Sequence, residues 1–328
     1  MEVMVLAVKA EGVKIGYLDE EDRIQWAVRG VDLEISSGDS FCIVGESGSG
    51  KTTLASAIAG ILPPHAVTQG KLVIDDKLVL DNGRLNFNGV RGRIVSYIPQ
   101  NPGTSLNPFM TIEEHFYYIL RDTKSLSRRE ARKIALESLM KVGLDQSVLE
   151  MYPHELSGGM QQRVTIAIAI ASGPKIIVAD EPTSSVDANL RAGILKLLNK
   201  LNRELGLTLI MVTHDIYSAA AVCNKVAVML VGKIVEIGET KTLLYDPRHP
   251  YTKILLNCVP VLGVKKLLKP LVGEPPRLYS DIKHCPFLDR CPFVIEICKK
   301  EPLLEPVDGK KDHVVRCWRF KELKSVEL

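Results

Sequence analysis

No stretch of this sequence approaches the ~18–20 consecutive apolar residues that a bilayer-spanning helix needs. The opening Met1-Glu2-Val3-Met4-Val5-Leu6-Ala7 has no basic n-region and an early acid, so it does not read as a secretory signal. A cytosolic chain is therefore expected. Net charge is also small, at +3 over 328 residues, which argues against nucleic acid or anionic lipid as the main partner. There is no internal repeat, low-complexity tract, sustained heptad run or basic stripe. Paired C-x₂₋₄-C knuckles of the structural zinc type are missing. What remains is ordinary globular composition, 46% apolar and 25% charged, in a chain long enough for one main domain and an appendage.

The most informative stretch is Gly45-Glu46-Ser47-Gly48-Ser49-Gly50-Lys51-Thr52, followed by Thr53. It fits the phosphate-loop pattern G-x-x-x-x-G-K-[ST] at every fixed position. The strand-forming run Phe41-Cys42-Ile43-Val44 precedes it, and apolar residues at helical spacing, Leu54 to Ala59, follow. Its glycines let successive N–H groups converge on a phosphate at a helix N-terminus. Lys51 would reach the β- and γ-phosphates, and the Thr52 hydroxyl would ligate Mg²⁺.

Around this loop, strands are predicted at Val13–Tyr17, Val31–Ile35, Lys71–Ile74, Arg93–Ile98, Lys175–Ala179 and Thr208–Val212. Between about residues 111 and 171 the pattern is helical. Ser127 and Glu130 form a capping-box match ahead of Ala131, Ile134, Ala135 and Leu139, with Gly143 as a stop. Leu190, Ile194, Leu197, Leu198 and Leu201 mark an amphipathic helix ending near Gly206. Strands alternating with helices after a phosphate loop imply a parallel, helix-covered α/β sheet. From Asp246 onward prolines recur and periodicity fades, so a short irregular C-terminal domain is expected over 246–328, after a nucleotide-binding domain over 1–245.

Two further stretches bear on the chemistry. Ile176-Ile177-Val178-Ala179 is an apolar strand ending in Asp180 and Glu181. The first carboxylate can hold Mg²⁺, and the second can orient and polarise an attacking water. Leu156-Ser157-Gly158-Gly159-Met160-Gln161 opens another apolar helix with a glycine-rich N-terminus, a second place where N–H groups and a hydroxyl can meet anionic oxygen.

These stretches, taken together, resemble the ABC-type ATPases, with Leu156 to Gln161 similar to the family's signature motif. The resemblance covers about residues 5 to 245. It implies a P-loop fold with a parallel core sheet, an antiparallel β subdomain and a helical subdomain over about 100–170. It further implies that Gln100 is the glutamine that senses Mg²⁺, and that Asp187, in Ser185-Val186-Asp187, belongs to the loop that crosses a dimer interface. His214 would contact the γ-phosphate, and Tyr17 would stack on adenine. Val186 and Thr52 depart slightly from the commoner residues, as does Asn224, without changing the chemistry. In the family, the signature of one subunit faces the phosphate loop of another, so ATP and Mg²⁺ would be held between two ATPase subunits.

The run Val228 to Gly238, then His249-Pro250-Tyr251-Thr252, is similar to ATP-binding subunits of oligopeptide/dipeptide importers, as is the pattern Cys285-x₅-Cys291-x₆-Cys298-x₁₈-Cys317. Four thiolates suit a [4Fe–4S] cluster, which is the expectation here, with Zn²⁺ or disulfides as alternatives; the role would be to staple a segment too small to bury a core. His284 and His313 read as packing or solvated residues, and the isolated Cys42, Cys223 and Cys258 as buried small side chains. The implied function is ATP hydrolysis at the cytoplasmic face of the membrane, powering import of peptides or of a related solute such as a sugar, nickel or glutathione. Partners would be a second ATPase, identical or homologous, two transmembrane permeases and an extracytoplasmic solute-binding protein. A non-transport ABC ATPase acting on nucleic acid or the ribosome is the alternative from another class, and the single motif set without insertions speaks against it.

Overall fold

The computed structural model describes residues 5–184, 186–258, 273 and 282–323. Met1 to Met4 of the opening and Ser185 of the dimer-crossing motif lie outside the described residues. In chain order the strands are β1 (Leu6–Leu18), β2 (Ile24–Ser36), β3 (Ser40–Val44), β4 (Val67–Ile74), β5 (Lys77–Asp81), β6 (Arg84–Leu85) and β7 (Val95–Ile98). They continue as β8 (Ile176–Asp180), β9 (Thr208–Thr213), β10 (Lys225–Leu230), β11 (Lys233–Glu239), β12 (Glu305–Val307) and β13 (Lys310–Val315). The helices are α1 (Lys51–Ala59), α2 (Pro102–Ser105), α3 (Ile112–Lys124), α4 (Arg128–Lys141) and α5 (Gly158–Ala171), then α6 (Ala188–Leu205), α7 (Ile216–Val222), α8 (Thr240–Tyr245) and α9 (Pro250–Asn257).

One sheet is antiparallel, in the order β2-β1-β4-β5-β6. The other runs β12-β13-β11-β10-β3-β9-β8-β7, parallel from β10 to β7 and antiparallel beyond. Its central strands are buried on both faces, which is why Phe41-Cys42-Ile43-Val44 and Ile176-Ile177-Val178-Ala179 read as unbroken apolar runs. Alternate side chains enter separate cores. Phe41, Ile43, Val178 and Ile210 pack with α1 and the antiparallel sheet, while Cys42, Val44, Ile177 and Met211 pack with the helices.

The helical region forms as its caps dictate. Ser127 accepts the Glu130 N–H while the Glu130 carboxylate accepts from the Ser127 N–H and hydroxyl, and Thr111 with Glu114 opens α3 in the same way. Gly143 closes the end of α4 with φ of 73°. The C-terminal segment does not stand apart from the main body, since its β13 pairs with β11 and extends the large sheet.

Two expectations about cysteine are corrected. Cys42 and Cys223 are not separate buried thiols; they form a disulfide spanning 181 positions, tying β3 to the end of α7. Cys285, Cys291, Cys298 and Cys317 do line one apolar pocket, beside Phe287 and Trp318. Yet among the described residues no group of three or more His, Cys, Asp or Glu side chains is placed to hold a metal ion. Neither the [4Fe–4S] cluster nor the Zn²⁺ site is supported, and these four cysteines form no disulfide either. The pocket is filled by packing side chains, with Cys285 and Cys298 buried beside Phe287, and burial pushes the Cys285 and Cys317 thiols up to about 12 and raises Cys291. The segment is held by packing and by its polar contacts with the main body. His313, for example, pairs with the fully buried Glu236 at 2.8 Å.

Candidate active site

The parallel order β3-β9-β8-β7 brings four distant stretches together beyond the C-terminal ends of these strands. Beyond β3 comes the phosphate loop, beyond β9 His214, at the end of β8 Asp180 and Glu181, and just past β7 Gln100.

The loop is wedged tightly between strands. A Cβ on Gly45 would lie 2.1 Å from the Met229 carbonyl oxygen, and one on Gly50 2.2 Å from that of Ala27, while both backbones have positive φ. Gly48 has open space instead, on the exposed bend of the loop. Ser47, Gly48, Ser49 and Gly50 thus follow one another around a turn into α1, whose first turn carries Thr52 and Thr53. Lys51 is buried and donates to the Glu46 carbonyl oxygen at 2.8 Å and to Ser49 Oγ at 3.3 Å. Burial lowers its pKa, opposed by the nearby carboxylates of Glu181, Asp180 and Glu46.

Thr52 Oγ1 donates to Asp180 Oδ1 at 3.2 Å, and the Tyr97 hydroxyl donates to Asp180 Oδ2 at 3.0 Å. Burial raises the Asp180 pKa against the lowering effect of these two donors, and it also raises the Tyr97 phenol. The hydroxyl of Thr52, the carboxylate of Asp180 and the amide of Gln100 are a hard-oxygen donor set of the kind Mg²⁺ takes together with phosphate oxygens.

Glu181 is held from both sides. Gln100 Nε2 donates to its Oε2 at 3.1 Å, and His214 Nδ1 to its Oε1 at 3.2 Å. Its φ of 42° is rare for a residue with a side chain and costs on the order of 1 kcal/mol or more, which the sheet edge sustains.

The remaining expected residues lie elsewhere. Tyr17 is half-buried on β1, its ring 6.0 Å from that of His65. Ser157 caps α5, accepting the Met160 N–H at 3.4 Å. Gln161 reaches back over that helix start, donating to the Pro153 and Leu156 carbonyls. A Cβ on Gly159 would press on Leu190, whereas Gly158 is open. Asp187 accepts the Leu190 N–H at 2.9 Å and so caps α6. Among the described residues no hydrogen bond joins the stretch from Leu156 to Gln161 to the phosphate loop of its own chain.

Sequence reasoning missed three contributors. Tyr97 stood within a stretch already singled out, but nothing in a strand's alternation says which phenol will meet a carboxylate. Arg290 and Tyr251 reach Glu46 of the phosphate loop from the C-terminal segment, and no local pattern announces a contact over 244 or 205 positions.

The family pattern described as ABC transporter matches residues 28–184, and that described as Oligopeptide/dipeptide transporter, C-terminal region, matches residues 235–298. The dipeptide transport ATP-binding protein DppD of Bacillus subtilis is 40% identical over 297 residues, covering 89% of this chain and 88% of its own length. The oligopeptide transport ATP-binding protein OppD of Escherichia coli is 39% identical over 282 residues, 85% of this chain and 84% of its own. Among solved structures, the post-hydrolysis dimer of the ATP-binding cassette MJ0796 with ADP and Pi is similar with a TM-score of 0.63 and 33% identity, over 71% of this chain and 98% of that one. The MJ0796 dimer described as a bacterial ABC transporter cassette is similar with a TM-score of 0.62.

Proposed function

Because this chain belongs to the ATP-binding subunits of ABC transporters, in the branch homologous to the OppD and DppD peptide-importer ATPases, we propose that its ATPase activity powers uptake of oligopeptides or dipeptides. The solute class rests on the relatives' own names and on the C-terminal match at residues 235–298. In this reading a boundary near residue 245 separates the nucleotide-binding part from the C-terminal part.

The observation that carries the chemistry is the pair Gln100–Glu181 and Glu181–His214, one strand away from Lys51 and Thr52. The loop from Gly45 to Thr53 would hold the phosphates through N–H groups and Lys51, and Tyr17 would stack on adenine. Thr52, Asp180 and Gln100 would hold Mg²⁺, which when bound supplies positive charge against the β- and γ-phosphate oxygens. Glu181 orients the attacking water and takes its proton, while His214 and Gln100 fix the carboxylate in place. The γ-phosphoryl group passes to that water and ADP leaves.

Leu156, Ser157, Gly158, Gly159, Met160, Gln161 and Asp187 serve a second ATPase subunit, whose phosphate loop they would face. The lack of any hydrogen bond from that stretch to its own loop, among the described residues, favours this assignment. Two such subunits, two permeases and a solute-binding protein make the working importer. Among the described residues no helix is long and apolar enough to cross a membrane, which fits a peripheral place at the cytoplasmic face.

Glu181→Gln tests the assignment directly. The variant should retain ATP while hydrolysis falls by about 10²-fold or more. Wild-type turnover by it would refute the role of Glu181. Co-purification of the chain with ribosomes or DNA instead of membrane permeases would refute the transport reading.

A further inference from the structure

Glu46, the second residue of the phosphate loop, has all of its polar groups engaged. Its N–H donates to the Tyr251 hydroxyl at 2.9 Å, its carbonyl accepts from Lys51 at 2.8 Å, and its carboxylate accepts both arms of Arg290 at 2.9 and 2.6 Å. The Arg290 side chain is only 3% exposed and that of Glu46 19%, so this is a shielded, two-pronged ion pair, unlike a flexible surface contact. The pairing with Glu46 also raises the Arg290 pKa, keeping the guanidinium charged.

The two residues that grip Glu46 are fixed to each other. The Arg290 guanidinium lies over the Phe287 ring at 5.5 Å, and Tyr251 meets the same ring edge-on with centroids 5.5 Å apart. Phe287 is 1% exposed and lies between Cys285 and Cys291, whose side chains share its apolar pocket. Packing of that pocket therefore sets where the guanidinium sits.

We propose that Arg290 and Tyr251 form a latch by which the C-terminal segment sets the affinity of the phosphate loop for ATP. The inference rests on the reading that this loop binds ATP. Arg290 and Tyr251 are positioning residues that act through Glu46. Two effects combine. The fork fixes the backbone of the loop at the bend where its N–H groups must converge. It also neutralises a carboxylate standing within a loop that has to accept a triphosphate, where an unpaired negative charge would repel the ligand. Disturbing the pocket around Phe287 shifts the guanidinium and is felt as weaker nucleotide binding.

The test is calorimetric titration of the full-length chain with ATP in EDTA, where hydrolysis does not proceed. Arg290→Gln should weaken binding by about tenfold or more, the range of coupling between linked sites. Arg290→Lys, which keeps the charge but loses the two-pronged grip, should bind more weakly than the wild type and more tightly than Arg290→Gln. The double variant Glu46→Gln with Arg290→Gln relieves the unpaired charge but not the loss of the fork, and should recover part of the affinity lost in Arg290→Gln. Tyr251→Phe, a change of one oxygen, should weaken binding several-fold. Unchanged affinity in Arg290→Gln overturns the latch. So does a double variant as weak as the single one, since lost packing alone would not be rescued by removing the carboxylate. If Arg290→Gln does not fold, Tyr251→Phe decides, and its unchanged affinity overturns the proposal. A wild-type chain that fails to bind ATP removes the functional reading itself, an outcome distinct from a wild type that binds and variants that bind equally well.

Discussion

Breaking the bond between Cys42 and Cys223 should cost the molecule a large part of its stability. The bond closes a loop of 181 positions. In the chain-entropy view, a cross-link of that span restricts the unfolded chain by about 5 kcal/mol at 25 °C. Unfolding entropy of about 2.1 cal/mol/K per residue over 328 residues makes about 0.7 kcal/mol/K, so the bond is worth about 7 °C in Tm if unfolding is cooperative. The assay is scanning calorimetry of the untreated and the thoroughly reduced chain, beside a Cys42→Ala, Cys223→Ala variant. Reduction should lower the wild-type Tm by about 7 °C and leave the variant unmoved. A thiol titration of the unfolded, unreduced chain should find five reactive groups of the seven cysteines. Seven reactive thiols, or a wild-type Tm indifferent to reductant, would refute the reasoning. Both residues are buried, and the bond fastens the strand that delivers the phosphate loop to the end of a helix on the other side of the sheet.

Tyr97→Phe removes one of two donors to Asp180, and ATP turnover should fall about tenfold. Because burial already raises the Asp180 pKa and the phenol opposes this, the acid limb of the pH–rate profile should also move to higher pH; an unmoved limb would show that the phenol does not tune Asp180. His249 provides a pH dependence of stability. Burial pushes its pKa from 6.5 down to about 4, against the opposing pull of Glu236. Between those values the unfolded chain binds the proton and the folded chain does not, so the contribution is full above about pH 6.5 and is lost as the pH falls toward 4. At about 1.4 kcal/mol per tenfold change in proton affinity it reaches about 3 kcal/mol. Urea titrations of the wild type and His249→Gln between pH 4 and 7 check it, with the variant expected to show the flatter dependence.

Much of the fold was legible because the sequence carries it locally. The apolar runs at residues 41–44 and 176–179 read as strands, which the sheet buries on both faces, and Ser127 with Glu130 marked a helix start that α4 obeys. The site was legible where a motif encodes its own geometry, as with the glycines ahead of Lys51. It was illegible where the partner lies far along the chain. Tyr97 and Asp180 meet because β7 and β8 are neighbours, a fact of topology that neither strand declares. The cysteines show the limit most plainly. Their spacing suggested a metal cluster, but Cys285, Cys291, Cys298 and Cys317 line an apolar pocket in which, among the described residues, no group of three or more is placed to hold a metal ion. For Cys42 and Cys223, isolation in sequence concealed adjacency in space.

The hairpin of β12 and β13 also acts as a guard. Where β13 pairs with β11, at Glu236 with Val315 and Ile237 with Val314, it covers hydrogen-bonding groups that would otherwise face outward along the sheet's border. A chain cut after α9 would leave β11 as a bare margin, open to pairing with the same margin of another molecule. Such a truncation is expected to produce self-association, whatever it does to nucleotide binding. The hairpin thus closes one margin of the sheet to strand pairing between molecules, a task quite apart from catalysis.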